Sequence, residues 1–282
     1  MTLFELLFSN IVQATAVISI VVLGIIAYVV AKPNWNTRVL VTVSLLVVLS
    51  VVLQRFGIMI PLFGFPSFRI DFLHIPLIMV GALFGPFFGV LAGVVADIVG
   101  LIITPTEYPF FGFMLNKVLM GFIPAIMVLV IRRLSLKNGV RLAHLTLLSI
   151  NAASIIYLWI TPSLTISGQV MMLTYQTKLI VVAILLALMI SLHGLLVNKS
   201  VTKVRVFALL SVIFVELIVS LLLTPIWLVT MYNIPVFLSF IVRVIKAAFM
   251  IPISALLLEG LIHSTQKVLH RTIFDSILFP WK

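Results

Sequence analysis

The chain has 282 residues, 63% of them hydrophobic and 9% charged, against about 25% charged in ordinary soluble domains. That composition excludes a water-soluble globule, and the absence of cysteine excludes disulfides, thiol catalysis and thiolate-bound metal. A formal net charge of +11 would point to nucleic acid in a soluble protein; among long apolar runs it reads as the Lys and Arg excess of cytoplasmic loops.

Apolar runs of roughly 20 residues cross a bilayer. They predict helices over 8–31, 39–57, 69–85, 87–104, 112–131, 141–161, 178–197, 204–231 and 236–264. The expectation is an all-α integral membrane protein, residues 1–282 forming a single transmembrane bundle. The first run lacks a basic leader and a small-residue cleavage site, so it is expected to be retained. Between 69 and 124, Gly81, Gly85, Gly89 and Gly93, with Ala92, Ala96 and Gly100, recur at helical spacing. Such a ladder lets backbones approach closely in a membrane. Pro86 after Gly85 suits a first helical position. The same stretch carries Asp71, His74, Asp97, Glu107, Asn116 and Lys117, and polar groups at membrane depth mark sites by default. At the far end, residues 265–282 mix basic residues with Leu269, Ile273, Ile277, Phe279 and Trp281, the pattern of an interfacial tail.

Topology follows from the basic residues. With the loop of Lys32 and Arg38 in the cytoplasm, alternation also puts Arg132, Arg133, Lys137, Arg141, Lys199, Lys203, Arg205, Lys267, Arg271 and Lys282 there, 12 of the 18. The N-terminus is then outside and the C-terminal tail, 265–282, cytoplasmic. The six exceptions are Arg55, Arg69, Lys117, Lys178, Arg243 and Lys246, and all fall toward the outer side. Arg243 and Lys246, three apart, share one helical face.

The outer cations are read in two ways. They form a pocket for an anionic ligand bearing a flat ring, Arg gripping carboxylates bidentately and Phe110, Phe113, Trp227 and Tyr232 supplying apolar faces. Alternatively they snorkel beside an aromatic belt. Depth favours the pocket for Lys117, Arg243 and Lys246. Asp97 either fixes a ring amine or pairs with Lys117 or Arg243. Glu216 is a proton or cation relay, or a buried pair. Asp71 and His74 stand three apart, but no second His stands at ligand spacing, so neither metal nor other cofactor is expected. Hydrolase motifs such as H-E-x-x-H and G-x-S-x-G are absent, so no enzyme is expected. A phosphate-binding G-x-x-x-x-G-K-[ST] loop is absent too; nucleotide energy would have to come from another subunit.

The runs SVVLQRF, FRIDF-x-x-IP, GALFGPFFGVLAGVVAD and FFGFMLNKVLMGFIP, then LLLTPIWLVTMYNIPVFLSFIVRVIKAAFMIPI, resemble the folate-type substrate-binding (S) component of energy-coupling factor (ECF) vitamin transporters. The resemblance implies a six-helix S-component-like core, 39–132 for core helices 1–4 and 204–264 for core helices 5–6. About three additional transmembrane helices remain: 8–31 before the core and a hairpin, 141–197, inserted within it. It further implies high-affinity capture of folate from outside a bacterial cell membrane, docking on a membrane-embedded coupling subunit with two cytosolic ATPases, and inward release. The matching positions are Arg69, Asp97, Gly112, Phe113, Trp227, Arg243 and Lys246. Ser44 and Val48 stand where the family carries an Ala-x-x-x-Ala docking motif, and Thr224-Pro225 where it carries Asn-Thr. The alternatives are an S component for pantothenate or riboflavin, a proton-coupled secondary transporter using Glu216 or Asp97, and a membrane-embedded enzyme on lipid-linked substrates.

Overall fold

A computed structural model describes residues 3–33, 35–62, 65–103, 109–160, 163–166, 169–172, 174–197, 202–232 and 236–269. Glu107 and residues 270–282 of the expected tail lie outside them. The fold is an all-α membrane bundle. Its helices are α1 Leu3–Val30, α2 Thr37–Arg55, α3 His74–Phe84, α4 Pro86–Ile103, α5 Phe111–Arg133, α6 Leu136–Ile160, α7 Tyr175–Val197, α8 Lys203–Val215, α9 Thr224–Tyr232 and α10 Val236–Leu269. A π-helical segment, Glu216–Leu223, joins α8 to α9 without a break, so Lys203–Tyr232 forms one 30-residue span. Among the described residues six helical spans are long and apolar enough to cross a membrane.

Two antiparallel hairpins were not expected from the sequence: β1 Ile58–Leu62 with β2 Phe65–Ile70, and β3 Ser163–Ile166 with β4 Gln169–Met172. The third helix, expected from residue 69, therefore begins only at His74, and Arg69 lies on a strand paired opposite Met59. Pairing two extended segments satisfies backbone groups that neither could satisfy alone away from water. The hairpin leaves α3 with 11 residues, about 17 Å at 1.5 Å per residue, roughly half of a 30 Å hydrocarbon core.

Glycine explains how so short a helix is held. Gly85 adopts φ 93°, a left-handed conformation open to glycine, and its N–H closes α3 on the Gly81 carbonyl at 3.0 Å. Pro86 then starts α4. Beyond this elbow, Gly81 of α3 and Gly89 of α4 both press on Gly121 of α5. A Cβ on Gly121 would stand 2.7 Å from the Gly89 carbonyl carbon, and one on Gly93 2.5 Å from Val118 Cα. Those neighbours are backbone and cannot swing aside.

α1 packs on α4, α5 and α9, whereas α6 and α7 pack on each other and on α8 and α10. At one end of the bundle Trp35, in the α1–α2 connection, stacks edge-on to Phe87 and Phe88 at 5.9 and 5.5 Å. The α1–α2 connection and the Gly85–Pro86 elbow therefore lie at the same end. The β1–β2 hairpin lies at the other end, where α2 finishes, and β2 packs on α10.

Overpacking a tight contact costs about 1–3 kcal/mol. Gly121→Ala should therefore lower thermal stability, measured by tryptophan fluorescence in detergent. Gly24→Ala, where an added Cβ meets nothing within 4 Å, should leave it unchanged or slightly raised.

Candidate functional site

The late start of α3 leaves room for charge at its N-terminal end. Asp71 and His74 sit at its start, and the elements around them bring further ionisable groups to the same level. Arg69 Nε stands 3.2 Å from Asp71 Oδ2, and its guanidinium donates to the Gln54 carbonyl at the end of α2 at 2.5 Å. Lys117 of α5 pairs with Asp97 of α4 at 3.1 Å, both side chains no more than 10% exposed. The same ammonium donates to Gln54 Oε1 at 3.1 Å and to the Ala96 carbonyl at 3.3 Å. Arg55 reaches the Gly100 carbonyl at 3.5 Å.

The last helix completes the band. Lys246 Nζ is 3.9 Å from Glu216 Oε1, across from the π-helical segment. Arg243, one turn nearer the start of α10, donates to the hydroxyls of Ser239 at 3.3 Å and Ser220 at 3.4 Å. It has no ion-pair partner among the described residues. His74, buried, shares a 2.9 Å hydrogen bond with Ser254 of α10 and lies within electrostatic reach of Asp71, Glu216 and Lys246. Lys117 lies within similar reach of Arg69 and Asp71. One band of charge thus runs from Asp97 to Lys246 across α4, α5, β2, α3, the π-helical segment and α10.

Beside it stands an aromatic group. Phe110, at the start of α5, meets Phe113 and Trp227 edge-to-face at 5.6 and 5.8 Å. Gly112 makes room for them: a Cβ there would fall 2.7 Å from Trp227 Cδ2. The indole N–H of Trp227 donates to Asn116 Oδ1 at 2.9 Å, and Asn116 Nδ2 donates to Thr224 Oγ1 at 3.1 Å. The Thr224 hydroxyl returns to the Val219 carbonyl within the π-helical segment. Thr224 and Asn116 therefore fix the indole plane.

Of the residues singled out from sequence, Arg69, Asp97, Lys117, Arg243 and Lys246 enter the charge band, and Phe110, Phe113 and Trp227 form the aromatic group. Tyr232 does not join them; it ends α9 and is 62% exposed. Lys178 bonds the Trp159 carbonyl at 3.3 Å, between α6 and α7 and away from the band. Ser44 and Val48 face outward on α2. Gln54 was not anticipated, nor the use of Asn116 as an indole acceptor. Asn116 had a signal in its depth beside Lys117; Gln54, near a helix end, had none.

A family model for the substrate-specific component of ECF transporters matches residues 38–265. The chain belongs to that family. It is accordingly a multi-pass membrane subunit that binds a transported substrate, and not an enzyme. No curated relative matches the chain. Among solved structures, a crystal structure of FolT bound with folic acid is similar at a TM-score of 0.39 and 19% identity, covering 86% of this chain and 95% of that one. The matched region of this substrate-specific component holds the whole charge band and the aromatic group, while α1 precedes it.

Removing one partner of a buried ion pair leaves the other uncompensated, at about 3–5 kcal/mol. Asp97→Ala should therefore unfold at distinctly lower temperature than the wild-type subunit. The double variant Asp97→Leu/Lys117→Met should recover most of the loss, as read from thermal unfolding in detergent.

Proposed function

We propose that this subunit captures folate, with Arg69, Asp97, Phe110, Phe113, Lys117, Trp227, Arg243 and Lys246 as its binding residues. The observation that carries the reading is Arg243. A partly buried guanidinium at membrane depth is best satisfied by a carboxylate in a bidentate pair; this one holds two long serine hydrogen bonds and keeps donors for acceptor oxygens of a ligand. At the rim Arg69, its side chain 40% exposed, offers a second cation. Arg55, Arg69, Lys117, Arg243 and Lys246 outnumber Asp71, Asp97 and Glu216 in the band, which favours an anion. The Phe110–Trp227 pair adds faces for flat rings. Folate combines two carboxylates with two aromatic ring systems, and the Arg-x-x-Lys spacing on α10 favours it over pantothenate or riboflavin.

In this reading substrate enters from outside a bacterial cell, the N-terminus is outside and the C-terminus cytoplasmic. Core helices lie in 39–132 and 204–264, with 8–31 and 141–197 as additions and 265–282 as a cytoplasmic tail. Release inward follows docking on a membrane-embedded coupling subunit driven by two cytosolic ATPases. Ser44 and Val48, both exposed on α2, are the docking positions. A proton-coupled mechanism has less support. Asp97 and Glu216 each carry a lysine partner, so neither needs a proton to be neutralised.

The purified chain should bind folate tightly without nucleotide, and pantothenate and riboflavin far more weakly. Hydrogen bonds to charged groups contribute about 1.5–3 kcal/mol, so Arg243→Ala should weaken folate binding roughly 10–100-fold in isothermal titration. Equal affinity of wild type and variant, or no folate binding at all, would sink the assignment.

A further inference from the structure

Glu216 is buried at the start of the π-helical segment, its side chain 5% exposed. Around it gather Lys246, His74, Ser220 and Arg243. The pairing is incomplete. Lys246 reaches Oε1 only at 3.9 Å, and Oε2 is buried with no hydrogen-bond partner. An ionised carboxylate is acceptor-only, with about four lone-pair sites, and buried acceptors nearly always find donors. Asp97 differs. Its Oδ1 lies 3.1 Å from Lys117, and no buried atom of that carboxylate is left without a partner. Of the two carboxylates set among the cations, Glu216 is the one with unused acceptor capacity.

Its place in the chain suits recognition as well. π-Helical turns gather at functional sites, and this one carries Glu216 and Ser220 toward Arg243 and Lys246 of α10. Of the Glu216–Lys246 pair, the lysine is the member that reaches accessible space, at 17% exposure against 5%. Lys246 thus connects the buried carboxylate to accessible space. Arg243 approaches the same carboxylate through Ser220, to whose hydroxyl it donates. The combination, a carboxylate acceptor beside a guanidinium donor, complements a ring edge that presents adjacent N–H donors next to a carbonyl oxygen.

We propose that Glu216 is a specificity-determining residue that accepts the amino group and neighbouring ring N–H of a 2-aminopyrimidinone edge, while Arg243 donates to the adjoining ring carbonyl. This rests on the folate reading and assigns the ring end of the ligand to the deep side of the band, leaving its carboxylates toward Arg69. It also separates two roles for Glu216. A mere counter-ion for Lys246 would influence every anionic ligand alike; a ring acceptor discriminates by what the ring donates.

The test is a cycle of two ligands and two proteins. The full chain and its Glu216→Gln variant are titrated with folate and with the analogue lacking the 2-amino group. Wild type should prefer folate at least tenfold, and Glu216→Gln should bind both ligands with one weakened affinity. Glu216→Asp, which keeps the carboxylate, should retain part of the preference and covers the case in which Glu216→Gln is poorly folded. An undiminished preference in Glu216→Gln, or a wild type that does not discriminate although it binds folate, overturns the assignment of Glu216 alone. A wild type that binds no folate overturns the folate reading and this assignment together.

Discussion

A charge at membrane depth must find its counter-charge within the protein, because the lipid around it supplies none. That constraint organises the bundle. Lys117–Asp97 joins α5 to α4, Lys246–Glu216 joins α10 to the π-helical segment, and Arg69–Asp71 with the Gln54 carbonyl closes the end of α2 against β2. The His74–Ser254 hydrogen bond ties the start of α3 to α10 across 180 residues of sequence. The polar groups therefore do not merely line a site. They fix which parts of the chain meet, and the site exists only when the early and late helices are assembled.

The glycine contacts make room for this arrangement. Lipid tails are as apolar as leucine, so helices in a membrane associate by close packing rather than by expelling water. Gly81, Gly89 and Gly121 bring three backbones together, and residues 74–82 of α3 are buried without interruption. A helix so enclosed presents little surface to lipid, so its length need not match the bilayer. That freedom lets α3 stop half-way and leaves its remaining height to the β1–β2 hairpin and the charge band.

Much of this was legible in the sequence. Long apolar runs announced the helices, the small-residue ladder announced the tight packing, and five of the six cations set apart by the charge pattern, all but Lys178, led to the band. Pairing of Asp97 with Lys117 was one of two readings, since both lie at similar depth on successive helices, and only the helix rotation decides between Lys117 and Arg243. The β1–β2 hairpin was missed because FPSF reads as loop from its proline, while strand pairing depends on what lies opposite. Nor did any local pattern reveal the π-helical segment, whose residues are ordinary apolar helix formers. Gly121 escaped the ladder because its partners lie on other helices, and spacing along one helix cannot show a contact between three. Tyr232 was drawn in by its closeness to Trp227 in sequence, but five residues along a helix turn a side chain to a different face.

The leading helix shows how an added element becomes part of the site's surroundings. Its residues precede the matched region, and most of its surface is exposed. Yet its narrow inward stripe is made of small and aliphatic residues, and Ala16, Val12, Ile20 and Leu23 pack in one cluster with Phe110, Phe113, Leu115 and Trp227. At its other end Tyr28 meets Phe87 at 5.9 Å, beside Trp35. The helix is thus held at two levels, by Tyr28 on the Gly85–Pro86 elbow and by its mid-helix aliphatic stripe against the indole that Asn116 orients. Edge-to-face contacts define ring angles as well as distances. The orientation of Trp227 accordingly depends on three parts of the chain at once: α1 behind it, Asn116 at its N–H and Phe110 across its face.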